Sequence, residues 1–418
     1  MTLRTYIVRQ PILDSEQQVF GYEILYNGDA PESSENAEEN LSNTVEGFLM
    51  QANSEAFLSD GKAFFTFSPN LLERKIPDLF DRSRLVIQID EQTLLNSQAK
   101  KMVAQYHDDG YEVAIYDFVF VSRHFNTLDF VDYIKLNFSA YTRDKEQYDN
   151  IVYLAREFGK KVIAYRVETE EDLKLARQLG VEYLQGGAVG REVKVKAQDY
   201  NYLQSNFFLL LVEVTRDEPK MSDIEQIISR DVTLTYSLLK LVNSAYFALR
   251  SKVQSIRQAL GILGIDQLKQ WIYLLTFKNG NVEVSNELIR ASFLRGTFCE
   301  VLLPYANGVE ISPSEAYLMG MFSTLDVLMD APLSEVLAEL PISDEVKGAL
   351  VERKGICGVL FDLVLSYEQA NWAKMTELSE KLQIPLNIIT QKYFECVESV
   401  NEIWHKLTEN QREGEKEL

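Results

Sequence analysis

Residues 162–190 read VIAYRVETEEDLKLARQLGVEYLQGGAVG, and their pattern decides the fold of the first half of the chain. KVIAYRV (161–167) and VEYLQ (181–185) are short β-branched and aromatic runs of strand type. Between them, TEEDLKLARQLG opens with Thr169 and Asp172 at capping-box spacing and stops at Gly180, which marks both ends of a helix. Strand, helix and strand in so short a stretch make a βαβ unit, and such units build parallel sheets.

The alternation extends back toward the N-terminus. AFFTFS (63–68), RLVIQID (84–90), YEVAIYDF (111–118) and YIKLN (133–137) are further strands, separated by amphipathic segments such as YDNIVYLAREFG (148–159). So many units in succession imply a closed α/β barrel over residues 1–190. Around REVKVKAQDY (191–200) the pattern changes, and these residues read as a linker. Beyond it, DIEQIISRDVTLTYSLLKLVNSAYF (223–247) and SIRQALGILGIDQLKQWIYLLTF (255–277) carry the 3.6-residue period, so residues 201–405 form an all-helical domain. Residues 406–418 are a charged tail, expected to fray. The fold class is α/β plus all-α.

With 418 residues, 46% hydrophobic and 25% charged, the chain has the balance of an ordinary globular protein. A net charge of -21 argues against a nucleic-acid partner, which needs clustered Lys and Arg to displace counterions. Cys299, Cys357 and Cys396 lie far apart without CxxC spacing, as buried thiols rather than a zinc site or disulfide framework. The N-terminus has no signal-peptide pattern and no run is long enough to span a bilayer, so no membrane partner is expected and the location is read as cytoplasmic.

In order along the chain, RQPILDSEQQVFGYEILYNG, LVIQIDE, YDF, DYIKLN and residues 162–190 resemble the motif series of EAL-domain cyclic di-GMP phosphodiesterases, over roughly residues 4–190. That resemblance implies a TIM-like (β/α) barrel holding two divalent cations among carboxylates at the C-terminal ends of its strands. Glu23, Glu91, Asp117, Lys135, Glu168 and Gln185 match the family's site residues, and Gln10, Pro11 and Ile12 match its nucleotide lip. Other positions depart from it. Thr66 stands for a metal-binding asparagine, Tyr116 for the aspartate that bridges both metals, Asn137 for a further aspartate, Tyr165 for a glutamate, and Asn27 for the arginine that pairs with the ligand's phosphate. VFVSRHF replaces the glycine-rich loop that supports metal binding and dimer contacts. With a bridging carboxylate replaced by a phenol, two cations would repel one another with too few anions between them.

The helical half resembles the HD-related output domain, HDOD, over about residues 200–400, through DVTLTYSLLKLVNSAYF with its Asn243–Ser244 pair and SIRQALGILGIDQLKQWI with a helix breaking at LG. Asn243 and Ser244 also suit a helix-end cap. HD hydrolases need several His ligands, yet the chain has three histidines, His107, His124 and His405, of which His405 alone lies in this half. His107 and His124 read as solvated rather than as ligands, Trp271 as core, and Asp326 as a local hydrogen-bonding or exposed acid.

Both halves thus resemble catalytic folds whose catalytic residues are largely absent. The reading is a catalytically inactive signal-transduction protein in cyclic di-GMP-related regulation, acting through a protein partner such as a kinase, a motility component or another regulatory enzyme. A non-hydrolysing cyclic di-GMP receptor and a weak phosphodiesterase are its alternatives. No cofactor is expected, with Mg²⁺ or Mn²⁺ relevant only if the remnant site still takes metal, and the family is compatible with a homodimer.

Overall fold

A computed structural model of the chain describes residues 5–28, 55–58, 61–116, 122–139, 145–191, 194–195, 206–216, 218–230, 232–243, 253, 255–278, 282–283, 286–329, 331–338, 340 and 342–416. The chain divides into two compact units. The first comprises Met1–Glu192 with two short segments, Ser285–Glu287 and Ser366–Lys374, and the second comprises the remainder.

The first unit is a closed eight-stranded barrel: β1 (Thr5–Asp14), β2 (Val19–Gly28), β3 (Lys62–Thr66), β4 (Leu85–Ile89), β5 (Glu112–Tyr116), β6 (Tyr133–Asn137), β7 (Lys161–Tyr165) and β8 (Tyr183–Leu184). β2 to β8 are parallel to their neighbours, and β1 closes the ring antiparallel to both β2 and β8. The six strands read from sequence are present, and the β1–β2 hairpin adds two. Its antiparallel β1 departs from the uniform βαβ alternation, which is why strand–helix spacing does not reveal it.

Side chains alternate across each strand, so residues two apart share a face. Phe64, Val86, Ala114, Tyr133 and Ile163 therefore point inward together and, with Ile12, make the barrel's apolar core, closed off by Phe20 and Tyr183. Two residues further along the same strands come Thr66, Gln88, Tyr116, Lys135 and Tyr165. The barrel is apolar at mid-height and polar one layer higher, at the strands' C-terminal ends. A buried glutamine and lysine in the second layer need partners close by.

Outside the barrel lie α1 (Ser97–Asp108), α2 (Lys145–Glu157) and α3 (Glu170–Leu179). The capping box on α3 forms as its sequence indicates: the Thr169 hydroxyl accepts from Asp172 N–H, and the Asp172 carboxylate from Thr169 N–H. Gly180 ends the helix with φ of 69°.

In the second unit are α4 (Asn206–Thr215), α5 (Met221–Ser229), α6 (Val232–Val242), α7 (Ile256–Lys278), most of α8 (Asn286–Leu302), α9 (Pro313–Met321), α10 (Asp344–Glu352), most of α11 (Gly355–Glu368) and α12 (Trp372–Leu382), and α13 (Leu386–Lys416), numbering the α-helices of nine residues or more. Helix α7 breaks at Gly264, with φ of 67°, at the LG that sequence reading marks. Trp271 is buried, and so are all three cysteines, each unbridged. Two expectations change. Lys194–Val195, inside the expected linker, pair with Val282–Glu283 as a two-stranded sheet. The expected frayed tail from 406 continues α13 to Lys416, because a run of Glu, Lys, Gln and Arg is also a run of good helix formers.

One close approach holds the barrel shut beside its polar layer. Gly186 has φ of 146°, and a Cβ there would lie 2.3 Å from Val167 O and 2.4 Å from Val167 N. Gly186→Ala should therefore cost more than about 2 kcal/mol, read as a lower urea midpoint at unchanged m-value.

Candidate functional site

Glu23 leaves β2 into the polar layer, where it is buried. In register, Glu23 lies beside Gln10 of β1, Thr66 beside Gln88, and Tyr116 beside Lys135. The Lys135 ammonium sits 2.6 Å from Glu23 Oε1, and its side chain is 1% exposed. Gln88 holds both charges: its Nε2 donates to Glu23 Oε1 at 2.7 Å and to Thr66 Oγ1 at 2.8 Å, while its Oε1 accepts from Lys135 Nζ at 3.0 Å. From the other side Gln185 Nε2 donates to Glu23 Oε2 at 2.7 Å and, more weakly, to Gln10 Oε1 at 3.4 Å. Lys135 Nζ also lies 5.2 Å from the centre of the Tyr165 ring, so the residue standing where the resemblance implies a glutamate offers a π-face to the cation.

The cluster is thus a closed ion pair. Burial pushes the Glu23 carboxyl upward, but the Lys135 charge and hydrogen bonds from Lys135, Gln88 and Gln185 outweigh it and hold the group below the ordinary carboxylate range. On the other face of β2, where Tyr26 stacks on Phe65, burial pushes the Tyr26 phenol up to about 12, and this neutral hydroxyl donates to Thr66 O at 3.2 Å.

The remaining sequence-identified residues divide into those the structure brings near and those it does not. Tyr116 ends β5 in the same layer, half-buried. Asn137 is one layer higher and turns to the following loop, its Oδ1 accepting from Ser139 N–H at 3.2 Å and Ser139 Oγ at 2.7 Å. Glu168 is exposed on the loop after β7, against Gly187. Pro11 is half-buried and Ile12 belongs to the apolar core, so of the expected lip Gln10 alone reaches the cluster. Asp117 and Ser244 lie outside the described residues, as do the side chains of Asn27, Glu91, His124 and His405. Gln88 is the residue that sequence reading passes over. Its signal was present as a polar residue at an inward position of LVIQI, an otherwise apolar strand buried along its whole length.

In the helical unit, Asn243 follows the end of α6. Its Nδ2 donates to Leu239 O and Val253 O, and its Oδ1 accepts from Val253 N–H at 2.8 Å. It ties a helix end to a later segment, a structural role of the helix-end kind that sequence reading allowed for. In the barrel unit, His107 on α1 approaches Asp132 at 3.7 Å.

A TIM-like barrel with a polar mouth and a separate all-helical part define the class. Residues 6–192 match the model of the EAL domain and residues 203–339 that of the HDOD domain, and the chain belongs to the proteins that join these two domains in this order. The HDOD match ends at 339, so α10 to α13 lie beyond it. The uncharacterized protein YuxH of Bacillus subtilis is 28% identical over 415 residues, spanning 97% of this chain and 99% of that one. The cyclic di-GMP phosphodiesterase CdgJ of Vibrio cholerae is 29% identical over 396 residues, spanning 94% and 91%. Among solved structures, the EAL enzyme Bd1971 in its cAMP- and cyclic-di-GMP-bound form aligns with 16% identity and a TM-score of 0.38, over 44% of this chain and 60% of that one, less than two thirds of the solved chain.

Two divalent cations, as the EAL resemblance implies, do not fit the described donors. Glu23 already has both oxygens engaged by N–H groups, with an ammonium at 2.6 Å on one of them. Gln88 and Gln185 supply neutral amides, and Glu168 faces solvent. Hard cations favour carboxylates whose lone pairs are open.

Removing one member of a buried pair leaves the other charge uncompensated. Glu23→Gln should cost about 3–5 kcal/mol in urea unfolding at neutral pH, and adding Lys135→Met should recover most of it. Because the folded-state pKa of Glu23 is depressed, its contribution is complete above the unfolded pKa and is lost as pH falls through the folded one. The gap between wild type and Glu23→Gln should accordingly narrow with acidification.

Proposed function

We propose that this chain acts in cyclic di-GMP-related signalling as a non-hydrolysing protein, its barrel serving as a sensing or docking surface and its helical domain engaging a protein partner. The observation that carries this is the saturation of Glu23, whose two oxygens accept from Lys135, Gln88 and Gln185 and so are closed to a metal ion. Hydrolysis in the manner of the EAL resemblance needs a metal-activated water and a metal clamp on the phosphodiester. Tyr165 and Thr66 add no charge to that layer and bind within the pair's own network. The helical half contributes His405 as its one histidine, too few for an HD-type metal site.

A second reading, a receptor that binds cyclic di-GMP without cleaving it, is favoured by one feature. Gln10, Gln185 and Glu23 form a hydrogen-bonded row leading from the lip into the barrel, and such groups could hold a nucleotide's polar edges. The name of CdgJ supports the third reading, a residual phosphodiesterase, and a direct assay separates it from the other two.

Purified full-length chain at high concentration, given cyclic di-GMP with Mg²⁺ or with Mn²⁺, should release no linear pGpG above the enzyme-free control. Turnover that disappears in a Glu23→Ala variant would overturn the non-hydrolysing reading.

A further inference from the structure

We infer that the turn Ser366–Lys374 is an intramolecular cover on the lip of the barrel mouth, held by contacts that a cyclic dinucleotide has to displace. The identity of the ligand rests on the receptor reading above, whereas the cover rests on geometry alone.

This turn is part of the first compact unit. Its shape is fixed at both ends. After α11, Asn371 N–H donates to Ser366 O at 2.8 Å and Ala370 N–H to Tyr367 O at 3.0 Å, the paired bonds of a Schellman motif, with Ala370 at φ of 55° where glycine is usual. Before α12, Asn371 Oδ1 accepts from Lys374 N–H at 3.2 Å and caps the new helix. A non-glycine residue held left-handed implies that the surroundings define this turn.

Those surroundings are β1. Since β1 runs antiparallel to β2, with Thr5 opposite Gly28, its first half lies at the end of the barrel where the polar layer opens. Tyr6 stacks on Trp372 at 5.6 Å with the rings 24° apart, and the buried Tyr367 hydroxyl donates to Ile7 O at 2.9 Å. Tyr367 meets Trp372 edge-on at 5.6 Å, which joins the two contacts into one. Gln10 Nε2 donates to Glu368 O at 3.0 Å.

The last bond decides the matter. The same Gln10 amide faces inward through Oε1, which accepts from Gln185, and Gln185 donates to Glu23. Hydrogen bonds thus run from the buried ion pair through Gln185 and Gln10 to the backbone of the turn. The lip residue offers its N–H to a carbonyl of the chain itself, where a phosphate or base oxygen would have to compete. The Tyr6–Trp372 stack and the bonds to Ile7 O and Glu368 O are contacts of the kind a nucleotide's bases and phosphates also make.

Gln10→Cys places a thiol at the lip in a chain whose described cysteines are buried, so its labelling by an aromatic disulfide reports on the cover without any nucleotide. Adding Trp372→Ala should speed labelling at least about tenfold, as the open fraction rises, and adding the conservative Tyr367→Phe should speed it less. Equal rates in all three proteins would overturn the cover. With Gln10 intact, calorimetric titration with cyclic di-GMP should show Trp372→Ala binding at least about tenfold tighter than wild type, with Tyr367→Phe between them. Measurable but equal affinities would also overturn it. If none of the three proteins binds, the receptor reading falls, and the labelling rates alone decide for or against the cover.

Discussion

The ion pair between Glu23 and Lys135 is the constraint on which the barrel's mouth depends. Two opposite charges withdrawn from water are tolerable only when geometry is close and the remaining donors and acceptors are filled. Here the filling comes from Gln88 on β4 and Gln185 just after β8, on opposite sides of the carboxylate. Each must stand in the correct layer, so strands far apart in sequence are held to one register. Gly186 belongs to the same requirement, since it lets the end of β8 run against the Val167 backbone and sets Gln185 in place.

That arrangement bears on function because a site cannot both neutralise itself and recruit cations with the same groups. In a metal-dependent barrel the carboxylates face outward in charge terms, awaiting a positive partner. In this barrel the positive partner is a lysine from the opposite wall, on β6, and the Tyr165 ring lies 5.2 Å from its ammonium. Among the described residues, the Gln185–Gln10 row leads from the polar layer toward the lip. The helical half follows the same economy. Asn243, the Ser312–Glu315 capping box on α9 and the break at Gly264 close helix ends and turn corners. Among the described residues no group of three or more His, Cys, Asp or Glu side chains is placed to hold a metal ion.

The strand–helix alternation and its caps were legible because they are local: Thr169, Asp172 and Gly180 act within a few residues of themselves. The β1–β2 hairpin was less so, since nothing in its period distinguishes a strand that closes a barrel from any other hairpin. Among site residues, Glu23, Lys135 and Gln185 were found through motif order, and they do converge. Glu168, matched by the same motif order, and Asn137, a substituted position of it, do not join them, one being exposed and the other turned to Ser139. Motif order records position along a strand, while convergence depends on the layer a side chain reaches. Gln88 shows the converse, a residue outside the motif reading that the layer places at the centre.

By itself, then, the sequence determined the α/β-then-helical plan, the missing acids and the scarcity of histidine, all of which are properties of residue type and short-range period. Only the tertiary structure decided that Glu23 is paired rather than vacant, that Tyr165 faces a lysine, and that Gln10 reaches Glu368 across the lip. The physical reason is that a buried charge takes its state from whichever groups close around it, and here those groups come from separate strands and from a turn more than three hundred residues away.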